Sequence, residues 1–185
     1  MEDPSELFAK LRIGNNNNTR GDHFKKIRDL GSGVFGRVDL SRVEVKKKYA
    51  EIGEEVAIKR FTEVSNSEMA VKEAEVLCRL KHEHIVRFLD IYKNSKRQLC
   101  LVMEYCNFGS LEDWLSGLDP KPLPEFKCWR LIWQFSSVLS YLHNQRPPIQ
   151  HNDLKPANIL CKWNAKQGGI GVKIADFGVC NVLGE

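Results

Sequence analysis

Several absences in this chain of 185 residues narrow its class before any motif is weighed. No uninterrupted apolar run approaches the ~20 residues that a membrane-crossing helix needs. The opening MEDPSELFAKLRIG carries acids and no long apolar core of a secretory leader. The six cysteines, Cys78, Cys100, Cys106, Cys128, Cys161 and Cys180, include no C-x-x-C pair, which argues against a zinc site and a disulfide scaffold. A reducing location, cytoplasmic or nuclear, is the resulting expectation. No long block of one charge occurs: lysines and arginines are interleaved with acids, and the formal net charge is +4. No specific nucleic-acid partner is therefore indicated.

What is present is a globular composition, 42% hydrophobic and 28% charged, sufficient for a core. Gly14 to Asp22, GNNNNTRGD, reads as a polar linker after a short predicted helix at Ser5 to Leu11, which sets residues 1–23 apart as an extension. Strands are predicted at Phe24 to Leu30, Arg37 to Val45 and Glu54 to Phe61, with GSGVFG interrupting the first two. The charged KKKYAEIGEE suits an exposed connection before the third. A helix over Ser67 to Leu80 would line up Met69, Val71, Ala74, Leu77 and Leu80 on one side. Strands at Ile85 to Tyr92 and Gln98 to Tyr105 complete a five-stranded antiparallel sheet with one main helix.

The character changes at Asn107 to Gly109. A short helix is predicted at Leu111 to Leu115 and a long one at Glu125 to His143, with Phe126, Trp129, Leu131, Ile132, Phe135, Val138, Leu139 and Leu142 available for burial. Two short strands, Ile159 to Cys161 and Val172 to Ile174, flank the loop material KWNAKQGGIG. The fold class is α+β, with domains at 24–106 and 107–185.

The chemistry gathers in four places. Gly31, Ser32, Gly33, Val34 and Gly36 form a glycine-rich stretch between two predicted strands, where missing side chains let backbone N–H groups approach phosphate oxygens. A dinucleotide-binding turn shares this spacing but opens a helix, whereas Val38 and a strand follow here, and no Gly-Lys-Ser/Thr ending occurs. Lys59 ends the strand VAIK, positioned to hold phosphates, and Glu73 is a better partner for it than Glu75. Asp153, Lys155 and Asn158 crowd into a segment that runs straight into an apolar strand. A core is a costly place for such a set. A phosphoryl-transfer site would use each member: Asp153 to orient a hydroxyl and accept its proton, Lys155 to screen the transferred group, and Asn158 with Asp176 to bind a divalent cation. Oxygen donors of this kind suit Mg²⁺. His151 is expected to brace the loop.

GSGVFGRV, VAIK, Glu73, HNDLKPAN and DFG stand in the order and approximate spacing of the eukaryotic protein kinases, and the chain resembles that family from about Phe24 to Glu185. The resemblance implies a small N-terminal lobe, a hinge and the first part of a mainly helical C-terminal lobe. It implies ATP and Mg²⁺ as cofactors and a protein serine or threonine hydroxyl as acceptor, since DLKPAN resembles the serine/threonine branch. It further implies that Met103 borders the back of the adenine site, that Glu104 to Cys106 bind adenine through their backbone, and that Val38, Ala57 and Leu160 wall the base.

Three departures stand against the pattern. Asn152 replaces the family's usual arginine, which pairs with a phosphorylated activation loop; a neutral amide cannot form that charge-assisted bridge. The Val38 to Lys59 and Asn158 to Asp176 connections are long, and surface insertions are expected there. Seven residues follow Gly178, so the remaining substrate-positioning elements are absent from this sequence. Weak activity of the chain alone is the expectation, with the helix bearing Trp129, Trp133 and Phe135 exposed unless a partner covers it. A nucleotide-binding pseudokinase or protein-interaction module is the alternative.

Overall fold

The computed structural model of the protein describes residues 23–33, 36–61, 67–117, 123–164 and 168–184. The predicted helix at Ser5 to Leu11, the linker at Gly14 to Asp22, and Val34 lie outside them. Two compact units result: one runs to Arg79 and resumes over Arg87–Tyr105, and the other combines Leu80–Val86 with the chain from Cys106 onward.

In the first unit, β1 (Phe24–Gly33), β2 (Gly36–Val43), β3 (Glu55–Phe61), β4 (Phe88–Lys93) and β5 (Leu99–Glu104) form an antiparallel sheet in the order β1-β2-β3-β5-β4. The predicted five-stranded antiparallel sheet is the one observed. The glycines do not interrupt its strands as expected. They continue the ladder, with Gly31 opposite Val38 and Gly33 opposite Gly36. Alternation divides the strands between two faces. One face buries Phe24, Val43, Val56, Ile58, Tyr92, Cys100 and Val102 as a core cluster. Tyr49 and Ala50, from the long β2–β3 connection, pack against it. The Tyr49 hydroxyl also donates to Asp90 at 3.1 Å. That connection is therefore anchored at its middle, while Lys46, Lys48 and Glu51 stay exposed.

Helix α1 (Ser67–Arg79) buries Ala70, Glu73, Ala74 and Leu77, a spacing that returns to one side every turn. Met69 and Val71, expected on this stripe, are only half-buried. The strand predicted to start at Ile85 begins instead at Phe88. The residues before it serve the second unit: Val86 N–H donates to Ile174 O at 2.9 Å, Ile174 N–H to His84 O at 2.8 Å, and the His84 Nδ1–H to Val172 O at 3.0 Å.

The second unit begins with α2 (Leu111–Ser116), whose Ser110 and Asp113 cap each other's backbone N–H groups. It continues with α3 (Glu125–His143), β6 (Ile149–Gln150), a 3₁₀ turn (Pro156–Asn158), β7 (Ile159–Asn164), β8 (Gly169–Ile174) and β9 (Asn181–Val182). β7 and β8 make a hairpin longer than predicted, because Lys162–Asn164 and Gly169–Gly171, taken as loop, extend the ladder. Leu111, Ile159, Cys161 and Val172 form its core, with Leu131 and Phe135 of α3 packed on them. The buried Gln134 adds a polar tie, its Oε1 accepting from Val172 N–H at 2.9 Å.

Helix α3 departs from its predicted burial. It buries Gln134, Val138 and Leu142. Phe126, Trp129, Ile132 and Trp133 remain 69, 62, 52 and 59% exposed. Exposure of Trp129 and Trp133 matches the expectation; Phe135 is half-buried because the hairpin reaches it.

Candidate active site

The register of the first unit assembles half of the predicted set. Val38 stands opposite Lys59, and Lys59 opposite Leu101; Leu40 stands opposite Ala57, and Ala57 opposite Met103. Directly paired residues share a face, so Val38, Ala57, Lys59 and Met103 lie on one side of the sheet, opposite the core cluster. Glu73 of α1 reaches the same side. Both its carboxylate oxygens accept from Lys59 Nζ, at 2.9 and 2.7 Å, and the two side chains are 9% and 1% exposed. This is no solvated surface pair. The choice of Glu73 over Glu75 holds, because Glu75 lies off the buried stripe.

The glycines divide by physical role. At Gly36, φ is +154° and an added Cβ would meet the Arg60 carbonyl oxygen at 2.1 Å, so the fold itself excludes a side chain. At Gly31 and Gly33 a Cβ would meet nothing within 4 Å. Ser32 lies between them, opposite Arg37. Glu104, at the end of β5, directs its N–H to the Arg87 carbonyl at 3.0 Å, and its side chain accepts from Arg87 N–H at 2.8 Å.

The other half lies in the second unit. Asp153 Oδ2 receives Lys155 Nζ at 2.9 Å and Asn158 Nδ2 at 2.7 Å, while that same amide nitrogen donates to the Asp153 carbonyl at 2.9 Å. Both donors fall on one carboxylate oxygen, which leaves Oδ1 for a further donor. The Lys155 bond, then that of Asn158, holds the Asp153 carboxyl below its ordinary range against some desolvation; the same contact raises Lys155.

His151 does brace this loop. It is 3% exposed; its Nε2–H donates to the Ala175 carbonyl at 3.0 Å, its Nδ1 accepts from Asp153 N–H at 3.3 Å, and its ring meets Phe177 edge-on at 4.7 Å. Those two bonds fix a neutral tautomer. Burial pushes the imidazole below its ordinary value, opposed by the Ala175 carbonyl and by the charges of Asp176 and Asp153.

Asp176 follows directly. Ala175 N–H donates to the Asn158 carbonyl at 2.9 Å, and Asp176 itself has φ +62°, a conformation uncommon outside glycine. Leu160 lies on β7 opposite Lys173, on the hairpin face away from Ile159 and Cys161. Cys106 is buried. One feature was not anticipated: Asn152 has φ +62° and donates its amide to Val179 O at 3.3 Å. The asparagine itself was the available signal, as this residue tolerates left-handed backbone.

The donor chemistry fits a divalent cation. Asn158 turns its amide nitrogen to two oxygens of Asp153, so its carboxamide oxygen lies on the other side, and Asp176 supplies a carboxylate directly after Ala175, whose N–H donates to the Asn158 carbonyl. Among the described residues no three His, Cys, Asp or Glu side chains gather as a cluster for a metal. Two protein oxygens with phosphate and water completing the shell is the manner in which Mg²⁺ is commonly held. Among the described residues no helix is long and apolar enough to cross a membrane.

Comparison with known proteins places this geometry. The family model described as protein kinase domain matches residues 24–185. The chain is 34% identical over 187 residues to the LEAF RUST 10 disease-resistance locus receptor-like protein kinase-like 1.1 of Arabidopsis thaliana, covering 97% of this chain and 27% of that protein. It is 32% identical over 158 residues to the serine/threonine-protein kinase STK11 of Gallus gallus, covering 83% and 33%. To cyclin-dependent kinase E-1 of Arabidopsis thaliana it is 32% identical over 160 residues, covering 83% and 32%. The chain thus spans a third or less of the length of these relatives. With the family model matched from residue 24 to residue 185, the chain belongs to the protein kinase domain family.

Proposed function

We propose that the chain carries the nucleotide-binding and phosphoryl-transfer residues of a serine/threonine protein kinase, moving the γ-phosphoryl of ATP to a protein hydroxyl with Mg²⁺. The observation that carries this reading is the buried Lys59–Glu73 pair. An ion pair of this depth is costly to desolvate and often adds nothing to stability over apolar residues. A lysine held there on the face of Val38, Ala57 and Met103 has a use if anionic phosphates bind beside it. Gly31 and Gly33, which the fold leaves free to carry side chains, then serve close approach of backbone N–H groups to those phosphates, with Ser32 and Val34 between and after them. The Glu104 and Cys106 backbone would bind adenine, with Leu160 as one apolar wall of the base.

In the transfer step, Asp153 Oδ1 accepts the hydrogen bond of the substrate hydroxyl and takes its proton as the oxygen bonds to phosphorus and the bridging oxygen of ADP departs. Its lowered basicity suits orientation early and protonation late. Lys155 stands by the transferred group, and Asn158 and Asp176 would hold the divalent cation, which would offset charge on the phosphates. Six cysteines that form no disulfide among the described residues fit a cytoplasmic or nuclear setting.

A second reading, a nucleotide-binding or interaction module without turnover, draws on the exposed Phe126, Trp129, Ile132 and Trp133, an apolar face suited to another protein segment. The two separate by measuring binding and transfer independently. Mg²⁺-dependent ATP binding with peptide phosphorylation that Asp153→Asn reduces about 10²–10⁴-fold, at unchanged ATP affinity, supports the kinase. ATP binding with no transfer in the parent chain supports the module.

A further inference from the structure

Asn152 is one of three non-glycine residues with positive φ among those described, the others being Arg97 and Asp176. Its backbone conformation accounts for the choice of asparagine over most residues but not for what the side chain does. The carboxamide crosses to Val179, 27 positions along the chain. The segment it meets is thinly held. Ile149 pairs with Val182 and Gln150 with Asn181, a ladder of two residues, and Leu183 N–H donates to the Pro148 carbonyl at 2.9 Å. Val179 and Leu183 are 40% and 43% exposed, while Cys180 is buried. Two-stranded pairing this short is marginal alone, so one added hydrogen bond is a large fraction of what holds it.

We infer that Asn152 is a positioning residue whose amide extends the β6–β9 ladder to Val179 and so fastens the residues after Gly178, and through them Asp176, to the loop bearing Asp153. The catalytic consequence rests on the kinase reading above; the fastening does not. The neutral amide suits this task because its partner is a backbone carbonyl, which needs a donor and no charge.

The test uses the 185-residue chain, with Asn152→Asp and Asn152→Gly. Aspartate keeps the size and the tolerance of φ +62° but turns a carboxylate toward the Val179 oxygen; glycine keeps the backbone and removes the amide. Amide hydrogen exchange over Val179–Leu183 is expected to quicken about three- to tenfold in Asn152→Gly and more in Asn152→Asp, with the β7–β8 hairpin unchanged. Peptide phosphorylation should lose kcat in both, with the KM for ATP unaltered. Exchange in Asn152→Asp that matches the parent overturns the inference, whatever glycine does. So does an unchanged kcat in both variants of an active parent. A parent that shows the exchange effect but transfers no phosphoryl group defeats the kinase reading and leaves the fastening standing.

Discussion

Lys59–Glu73 and Lys155–Asp153 are two lysine–carboxylate pairs of nearly equal length, 2.7 and 2.9 Å, in opposite surroundings. The first has side chains 9% and 1% exposed, the second 53% and 35%. Coulomb attraction at a given separation is several times stronger in a partly desolvated site than in water. Removing one member therefore has opposite consequences. In the first pair it takes a close counter-charge from a buried group; in the second, water takes over. The fold depends on the former, and only the proposed chemistry depends on the latter.

The sharpest way to break this contrast is Glu73→Ala. It takes the Glu73 carboxylate away from the buried Lys59 ammonium and should lower unfolding free energy by up to about 3–5 kcal/mol in denaturant titration. Asp153→Asn should leave the unfolding midpoint where it was. Equal losses from both would mean that burial does not separate the pairs.

The glycine hairpin extends the comparison to backbone. Gly36→Ala drives a methyl into the Arg60 carbonyl and should cost on the order of 1–3 kcal/mol or more. Gly31→Ala and Gly33→Ala meet open space and should stay within about 0.5 kcal/mol in thermal unfolding while weakening ATP binding. A stability loss at Gly31 matching that at Gly36 would remove the case for reserving it for a ligand.

The same division decides what was legible from sequence. Lys59, Glu73, Asp153, Asn158 and Asp176 stand out because polar residues beside apolar strands need a reason, and the proposed phosphate chemistry offers one to each. The sheet followed from alternation. What could not be read were features set by partners distant in sequence. Helix α3 is apolar on several sides, and periodicity alone does not say which side the β7–β8 hairpin covers; hence Phe126 and Ile132, available for burial by periodicity, are exposed. Ile85 looks like a strand residue, yet it bridges to Ile174 in the second unit. The hairpin's extra length was masked by glycines at Gly168, Gly169 and Gly171, which resemble loop by composition although two of them lie within β8.

His151 joins the two halves of the comparison, for it is buried like the first pair, lies beside the second, and is neutral. Its Nδ1 accepts the Asp153 N–H, and an added proton there would abolish that bond and place a cation in a desolvated site. The folded-state pKa is consequently depressed, with burial the main cause. Between the unfolded and folded values the unfolded chain binds the proton more readily, so stability rises with pH across that window. The contribution is complete above the unfolded value near 6.5 and declines as pH falls through the folded one. His82, also depressed by burial, acts in the same direction. Melting temperature should therefore fall on going from pH 7.5 to 5.5, and His151→Gln, compared with its own value at pH 7.5, should fall less. The remaining slope belongs to His82 and should flatten further in the double variant His82→Gln, His151→Gln. A slope unaffected by either substitution would assign the acid sensitivity to other groups and leave His151 as a brace whose protonation state the fold does not fix.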